Sequence, residues 1–328
     1  MRTLAVRLLA LTLGTGLPLP AQVRQVGDLN TREIRALDRA KTVVVLQGGM
    51  LEEHGPYLPA YTDGILSAQL TRELADGIAR QRPGWTVLVF PPVTAGASGS
   101  NEIGQHFTFA GTYALRRSTL RATFVDLASE LGEQGFRWIL VVNVHGSPLH
   151  IGAIDDAADF FHDTYGGTMV NLWGLLPVLG GWGDAMKDMS PAEKAADGLS
   201  LHAGMDEHSL MLHLRPDLVA TDYRQAPPVA GANYDAAFAV AARPDWPGYL
   251  GAPHLATADF GARIWRSFAQ AALRTSLAIL DGTDPASFPR YVTYLKTLAP
   301  YRAWIDSANA RDARAGARLA EWLARRER

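Results

Sequence analysis

The sequence predicts an α/β fold, a three-layer αβα arrangement around a mostly parallel central sheet. Three observations carry this. Short runs rich in β-branched and aromatic residues, at 42–46, 86–90, 136–142 and 168–173, alternate with longer stretches whose apolar residues recur every three or four positions. That alternation is the pattern of βαβ units. The run FRWILVV at 136–142 is apolar at nearly every position, as a strand covered on both faces must be. Gly and Pro punctuate the joins, at Pro83-Gly84, Pro91-Pro92 and Gly135, where they stop one element and free the chain to start another.

After a polar lead of mixed charge at 28–39, residues 42–46 read as a buried strand. Residues 64–80 follow as a helix, with Ile65, Leu66, Leu70, Leu74 and Ile78 on one face. The strand at 86–90 leads into a Gly- and Ser-rich loop at 96–112. A helix at 115–134 presents Leu120, Phe124, Leu127 and Leu131 on one side, and Gly135 suits its C-terminal end. The strand at 136–142 runs straight into Asn143-Val144-His145-Gly146-Ser147. A helix at 151–165 and a strand at 168–173 continue the alternation. Loop and short helix occupy 174–200, and a helix at 202–214 stops at Pro216. An irregular stretch rich in Pro, Gly and aromatics spans 222–260, and a long helix follows at 262–280. Residues 283–328 read as a helical C-terminal extension to a single domain at 22–282. No repeat, low-complexity tract or interdomain linker interrupts this order.

Of the 328 residues, 48% are hydrophobic and 20% charged, an ordinary globular balance. Lys and Arg number 31 against 33 Asp and Glu, a formal charge of -2, with no basic stripe to attract nucleic acid. Cysteine is absent, which excludes thiolate metal sites and cysteine nucleophiles together. Residues 1–21 combine Arg2 and Arg7 with a short apolar run broken by Gly14, Gly16, Pro18 and Pro20. That is the composition of a secretory signal peptide, too short and broken to span a bilayer. Cleavage near Ala21 removes two basic residues, leaving 29 against 33 and a mature charge of -4. The expectation is an exported protein, periplasmic or secreted, with no membrane attachment after signal removal.

Candidate chemistry concentrates beyond the strand ends. Glu52, His54 and Asp63 follow the first strand, set among Gly55, Pro56 and Pro59, and His145 follows the strand at 136–142. Parallel strands present their C-termini on one side, and ligands in open α/β sheets gather there. Two imidazoles and two carboxylates without cysteine suit zinc or manganese, and a carboxylate such as Asp63 can bridge two ions. A third segment, 201–219, crowds His202, Asp206, Glu207, His208 and His213 together. Asp206 and Glu207 also suit plain N-terminal capping of a helix, and His208 and His213 read as structural. No Gly-x-Ser-x-Gly elbow and no phosphate-binding Gly loop occurs.

These residues resemble the creatininase family of metal-dependent amidohydrolases. Glu52-x-His54-Gly-Pro-x-Leu-Pro with Asp63 matches its first motif, and Asn143-Val144-His145-Gly146 is similar to its Asn-Gly-His segment. His202-Ala-Gly-x-x-Glu207-x-Ser matches a third motif, with His208 where Thr is usual. His106 to Thr112 looks like its His-Phe-Pro-Gly-Thr segment with two extra residues, and Gly251 to Gly261 looks like its late glycine motif. The resemblance implies two divalent ions, Zn2+ or Mn2+. Glu52, Asp63 and His145 would hold one, and His54 with a bridging Asp63 the other, while His202 transfers protons. The family's namesake completes its second site with a glutamate two residues after the strand-end His, where this chain has Ser147. Glu207 is the candidate replacement, as ligand and participant in catalysis; weak binding of one ion is the alternative. Gly198, Leu199 and Gly146 stand where the residues that recognise creatinine are expected, so the resemblance does not extend to that substrate. His106 and Trp173 are candidate substrate contacts, with core packing the other reading for Trp173. The expected activity is hydrolysis of a small-molecule C–N bond, amide or cyclic amide. The alternatives are cleavage of a C–C or C–O bond in an oxidised sugar or cyclitol, and an exported metal- or solute-binding protein without turnover. The resemblance further implies a homo-oligomer, with a hexamer as the family's form.

Overall fold

A computed structural model describes residues 22–326; the segment read as a signal peptide, 1–21, lies outside them. Five strands, β1 (Gln22–Gln25), β2 (Thr42–Gln47), β3 (Thr86–Val89), β4 (Trp138–Val142) and β5 (Thr168–Asn171), form one sheet in the order β1-β3-β2-β4-β5. Every pairing is parallel. β1 is absent from the sequence reading because Gln-Val-Arg-Gln has no apolar face to bury. It is an edge strand, mostly exposed, held by its ladder to β3.

The helices in chain order are α1 (Thr31–Arg35), α2 (Thr62–Gln81), α3 (Arg117–Glu133), α4 (Pro148–Tyr165), α5 (Leu176–Met186), α6 (Pro191–Asp197), α7 (Met205–Leu214), α8 (Tyr234–Ala241), α9 (Ala258–Leu280), α10 (Tyr291–Leu295) and α11 (Ala299–Arg326). The two-residue period of the strands sorts the core into two layers. Val43, Val45, Leu140 and Val142 face a cluster with Leu66, Leu70 and Leu74 of α2 and Ile264 and Phe268 of α9. Their neighbours Val44, Leu46, Ile139 and Val141 face Leu120 and Phe124 of α3 and Ala153, Ile154 and Phe161 of α4. Residues apolar on both faces therefore read as continuous runs, and the helices that cover them make the three layers.

The topology also places the site. From central β2 the chain runs to β3 on one side and then crosses to β4 on the other. The sheet's winding reverses between β2 and β4, and ligands bind outside the carboxyl ends of such a pair. The strand ends there approach closely: a Cβ on Gly48 would lie 2.8 Å from Cβ of Asn143, so only glycine fits at that point.

Two expectations need correction. The helix expected at 202–214 starts at Met205, because Ala203 adopts φ 46° and Gly204 caps the helix in an extended conformation. His202 instead lies in an extended turn, and its carbonyl accepts from the Leu250 N–H at 2.7 Å. The stretch at 222–260 contains α8, which Asn233 caps through its side chain, short 3-10 turns at Thr221–Gln225 and Pro253–Leu255, and the start of α9 at Ala258. The C-terminal helices bury Leu295, Tyr301, Trp304 and Ala308 in a third apolar cluster with Ile103, Leu149 and Ala241. Among the described residues, no helix is long and apolar enough to cross a membrane.

Candidate metal centre

Glu52 and His54 stand on the loop after β2, Asp63 in the first turn of α2, and His145 three residues past β4. All four are buried, none more than 3% exposed. Asp63 faces two ways. Its Oδ2 lies 2.9 Å from His145 Nδ1, which is itself 2.9 Å from Glu52 Oε2. Its Oδ1 lies 3.3 Å from His54 Nε2, which is 3.8 Å from Glu207 Oε2. Each of these trios has its ligand atoms within 4.8 Å of one another, as does a third made of Glu52, His54 and His202.

The remaining ring nitrogens are fixed by backbone carbonyls. His145 Nε2 donates to the Ser98 carbonyl at 3.1 Å, and His54 Nδ1 donates to the Glu52 carbonyl at 3.1 Å. A carbonyl only accepts, so the proton sits on that nitrogen and the other is left to face the carboxylates, the usual second-shell arrangement around metal-binding histidines. Glu52 Oε1 accepts from the Ser100 N–H.

The donor set fits divalent cations. His54 Nε2 and Asp63 Oδ2 are buried without hydrogen-bond partners, and such orphans in a native interior call for an ion or similar partner. The cluster also draws in positive charge. Burial disfavours charge on His145, but Glu52 and Asp63 outweigh it and hold the ring well above its usual pKa. Burial and His202 act against His54, yet Asp63 and Glu207 lift it to about 9. Burial raises Glu52, and the imidazoles of His145, His202 and His54 more than reverse that, keeping it well below the usual carboxylate range. Burial pushes Glu207 up to about 7. Oxygen and nitrogen donors of this kind suit zinc or manganese.

His202 lies beside the second trio. Its ring centroid is 4.5 Å from that of His54, its Nε2 donates to the Glu53 carbonyl at 2.6 Å, and its Nδ1 is 4.0 Å from Glu207 Oε2. Burial opposes charge on this ring too, but Glu52 and Glu53 raise it to about 10. Glu207 is steadied by the Ala203 N–H, which donates to its Oε2 at 2.5 Å. Ser147 is buried and its hydroxyl has no hydrogen-bond partner.

Glu52, Asp63, His145, His202 and Glu207 line the floor of a cavity of about 270 Å³, whose walls include Trp173 and Trp182. Trp173 therefore sits where substrate contact was expected, and it also packs edge-on against Trp182 and Phe268 at 5.2 and 5.4 Å. His106 does not reach the cavity. Its ring stacks on Trp246 at 6.0 Å and its Nε2 donates to the Ala241 carbonyl at 2.9 Å; Ser100 and Ile103 of the same loop line the cavity instead. Asp206 does more than begin a helix: its Oδ2 accepts from Trp182 Nε1 at 2.9 Å and its Oδ1 from the Ser200 hydroxyl at 2.8 Å. His208 is structural, as expected; it donates to the Gly204 carbonyl, and burial keeps it neutral with a pKa of about 4. Sequence reading missed Glu53, Ser98 and the aromatic residues Tyr234, Tyr291, Tyr301 and Trp304 that wall the cavity. Only the density of Tyr and Trp at 291–304 gave a signal for the last three.

Fold and site together define a parallel α/β protein with a carboxylate–histidine metal-binding centre at its switch point. A family model described as "Creatininase: Creatinine amidohydrolase" matches residues 27–275. The chain belongs to the creatininase family of hydrolases. It is 30% identical over 248 residues to a creatinine amidohydrolase of Pseudomonas putida, covering 73% of this chain and 90% of that one. It is 29% identical over 254 residues to a mycofactocin precursor peptide peptidase of Mycobacterium ulcerans (strain Agy99), covering 74% and 88%. A solved structure of creatininase in a form designated Mn superposes with a TM-score of 0.58 at 25% identity, over 80% of this chain and all of that one. A mutant creatininase of Zn-Zn type gives 0.55 at 26% identity, over 80% and 98%.

Proposed function

We propose that this protein hydrolyses the C–N bond of a small amide or cyclic amide with two divalent ions, Zn2+ or Mn2+, in its centre. The observation that carries the reading is Asp63, whose two oxygens belong to two different ligand trios, Glu52-Asp63-His145 and His54-Asp63-Glu207. When bound, the ions supply Lewis acidity towards a carbonyl and a nucleophilic water near neutral pH. The chain supplies the rest. The Ser98 and Glu52 carbonyls hold the ligand imidazoles in one tautomer. His202, with Nε2 tied to Glu53, keeps Nδ1 beside Glu207, placed to pass a proton to the leaving nitrogen. The aromatic walls lower the polarity around the floor, which strengthens charge interactions there.

The relative named a peptide peptidase supports a second reading, cleavage of a peptide bond. The composition of residues 1–21 supports export, and the family resemblance supports a homo-oligomer. Protein loaded with Zn2+ or Mn2+ is to be assayed against lactams, cyclic ureides, formamides, short peptides and keto-sugars. Turnover of small amides, lost with chelator and restored by metal, is the expected result. Turnover of keto-sugars alone would move the reading to C–C or C–O chemistry. A ligand recovered unchanged would indicate a binding protein.

A further inference from the structure

The match to the family ends at residue 275, and a whole creatininase chain superposes on only 80% of this one. Yet three residues beyond that limit, Tyr291, Tyr301 and Trp304, line the same cavity as Glu52, Asp63 and His145. They join Tyr234 of α8 and face a cavity that Trp173 and Trp182 also line. The rings form one packed body: Tyr301 lies 5.5 Å from Tyr234 and 5.7 Å from Trp304. Burial raises the phenols of Tyr291 and Tyr301 well above their usual pKa, so they stay neutral. Among the described residues, no Lys or Arg lines the cavity.

The segment is also fastened to the support of a metal ligand. Trp304 Nε1 donates to the Ser98 hydroxyl at 3.2 Å, and that hydroxyl donates to Glu102 Oε2 at 2.6 Å. Arg311 of α11 pairs with the other oxygen of Glu102, which is buried. The same Ser98 offers its carbonyl to His145. Ser98 holds φ 61°, a left-handed conformation that costs a non-glycine residue energy, so these bonds fix it in place.

We infer that residues 291–311 are a specificity wall for the metal centre, selecting an uncharged amide that carries a flat apolar group beside the scissile bond. The inference rests on the metal-centre reading above. Aromatic faces on both sides offer a large apolar contact at little entropic cost. The cavity's positive charge is confined to the floor, at the ions and at His145 and His202, so a carboxylate carried on the flat group among the aromatic side chains would have no partner there, which disfavours it. At about 270 Å³ the cavity is close to the size of small-molecule sites.

Hydroxamates, which bind metal without turnover, test this on metal-loaded protein by calorimetry. Benzohydroxamate is expected to bind about tenfold more tightly than acetohydroxamate, and 4-carboxybenzohydroxamate more weakly than benzohydroxamate. Tyr291→Ala should remove most of the first preference while acetohydroxamate affinity and metal content stay within about twofold. Trp304→Ala, which also removes a hydrogen bond to Ser98, is run beside it and should lose the same preference, and both melting curves are recorded. A benzo-to-aceto ratio unchanged in every folded variant overturns the wall. A 4-carboxy analogue that binds as well as benzohydroxamate overturns the uncharged class. Failure of metal-loaded wild type to bind any hydroxamate overturns the metal-centre reading itself.

Discussion

Glu207 is the residue on which the second ion depends. Its Oε2 stands 3.8 Å from His54 Nε2 in the trio with Asp63, and no other carboxylate among the described residues joins that trio. Glu207→Ala leaves two donor atoms of three. Changes one shell further out already cost metal sites roughly 10- to 100-fold in affinity. Loss of a ligand atom is therefore expected to cost at least about 100-fold, roughly 2.7 kcal/mol. The trio of Glu52, Asp63 and His145 is untouched. Equilibrium dialysis against Mn2+ or Zn2+ followed by elemental analysis should show two ions per chain in wild type and one in the variant. Glu207→Gln is the control for local structure, because its amide oxygen still accepts from the Ala203 N–H while the charge is gone. It should behave as the alanine variant does. Two ions bound with unchanged affinity in both variants would refute the assignment and return the second site to His202, which forms the remaining trio with Glu52 and His54.

His202→Ala tests that same boundary from the other side. As a proton-transfer group it should leave two bound ions and lower kcat by about 10²- to 10⁴-fold; an ion lost with the imidazole would make His202 a ligand instead. Asp155 gives a pH prediction away from the site. Burial holds its carboxyl up at about 7, and its Oδ2 has no hydrogen-bond partner. A folded pKa above the unfolded one means the contribution to stability is fully present below the unfolded value, 3.8, and is lost as pH rises through about 7. That interval corresponds to about 4 kcal/mol, to order of magnitude. Asp155→Asn keeps the acceptor for the Asn171 amide and should melt higher than wild type at pH 8 but not at pH 4. Equal gains at both pH values would show that Asp155 does not titrate in this range.

The sequence showed the central layer well, because strands buried on both faces carry their own signal in unbroken apolar runs. It missed β1, where Gln-Val-Arg-Gln is a strand only through pairing with β3. Four of the trios' residues were legible as residues that follow strands, since a parallel sheet gathers its strand ends without any further information. Glu207 was legible by resemblance and by the poor fit of Ser147. Its approach to His54 was not, because that depends on a turn whose left-handed Ser200 and Ala203 leave no mark in periodicity. His106 was misplaced for the opposite reason: its spacing resembled a family segment, and stacking on Trp246 decides where the ring goes. The density of Tyr and Trp at 291–304 was legible but its place at the cavity was not, because that depends on contacts between residues about 200 positions apart, such as Trp304 with Ser98.

The two halves of the centre are held by different means, and this bears on how they fill. Glu52, Asp63 and His145 hang from the ends of β2 and β4 and the first turn of α2, elements whose register the sheet fixes. His202 hangs from the 197–205 turn and Glu207 from the first turn of α7 that this turn leads into, outside the sheet. What anchors the 197–205 turn is Asp197, buried, whose Oδ1 accepts from the Met205 N–H at 3.0 Å and the Ala252 N–H at 2.7 Å. Gly204 lets the turn pack there, since a Cβ would come within 2.9 Å of the Leu250 carbonyl oxygen. A turn held by a few such bonds, with the Leu250 N–H on the His202 carbonyl and the Ser200 hydroxyl on Asp206 beside them, opens at lower free energy than a sheet edge. Positioning that costs more on binding leaves less net affinity. The dialysis titration of wild type should therefore resolve a tight step, for the trio on the sheet, and a weaker one for the trio that includes Glu207. Asp197→Ala should weaken the second step while leaving the first as it was.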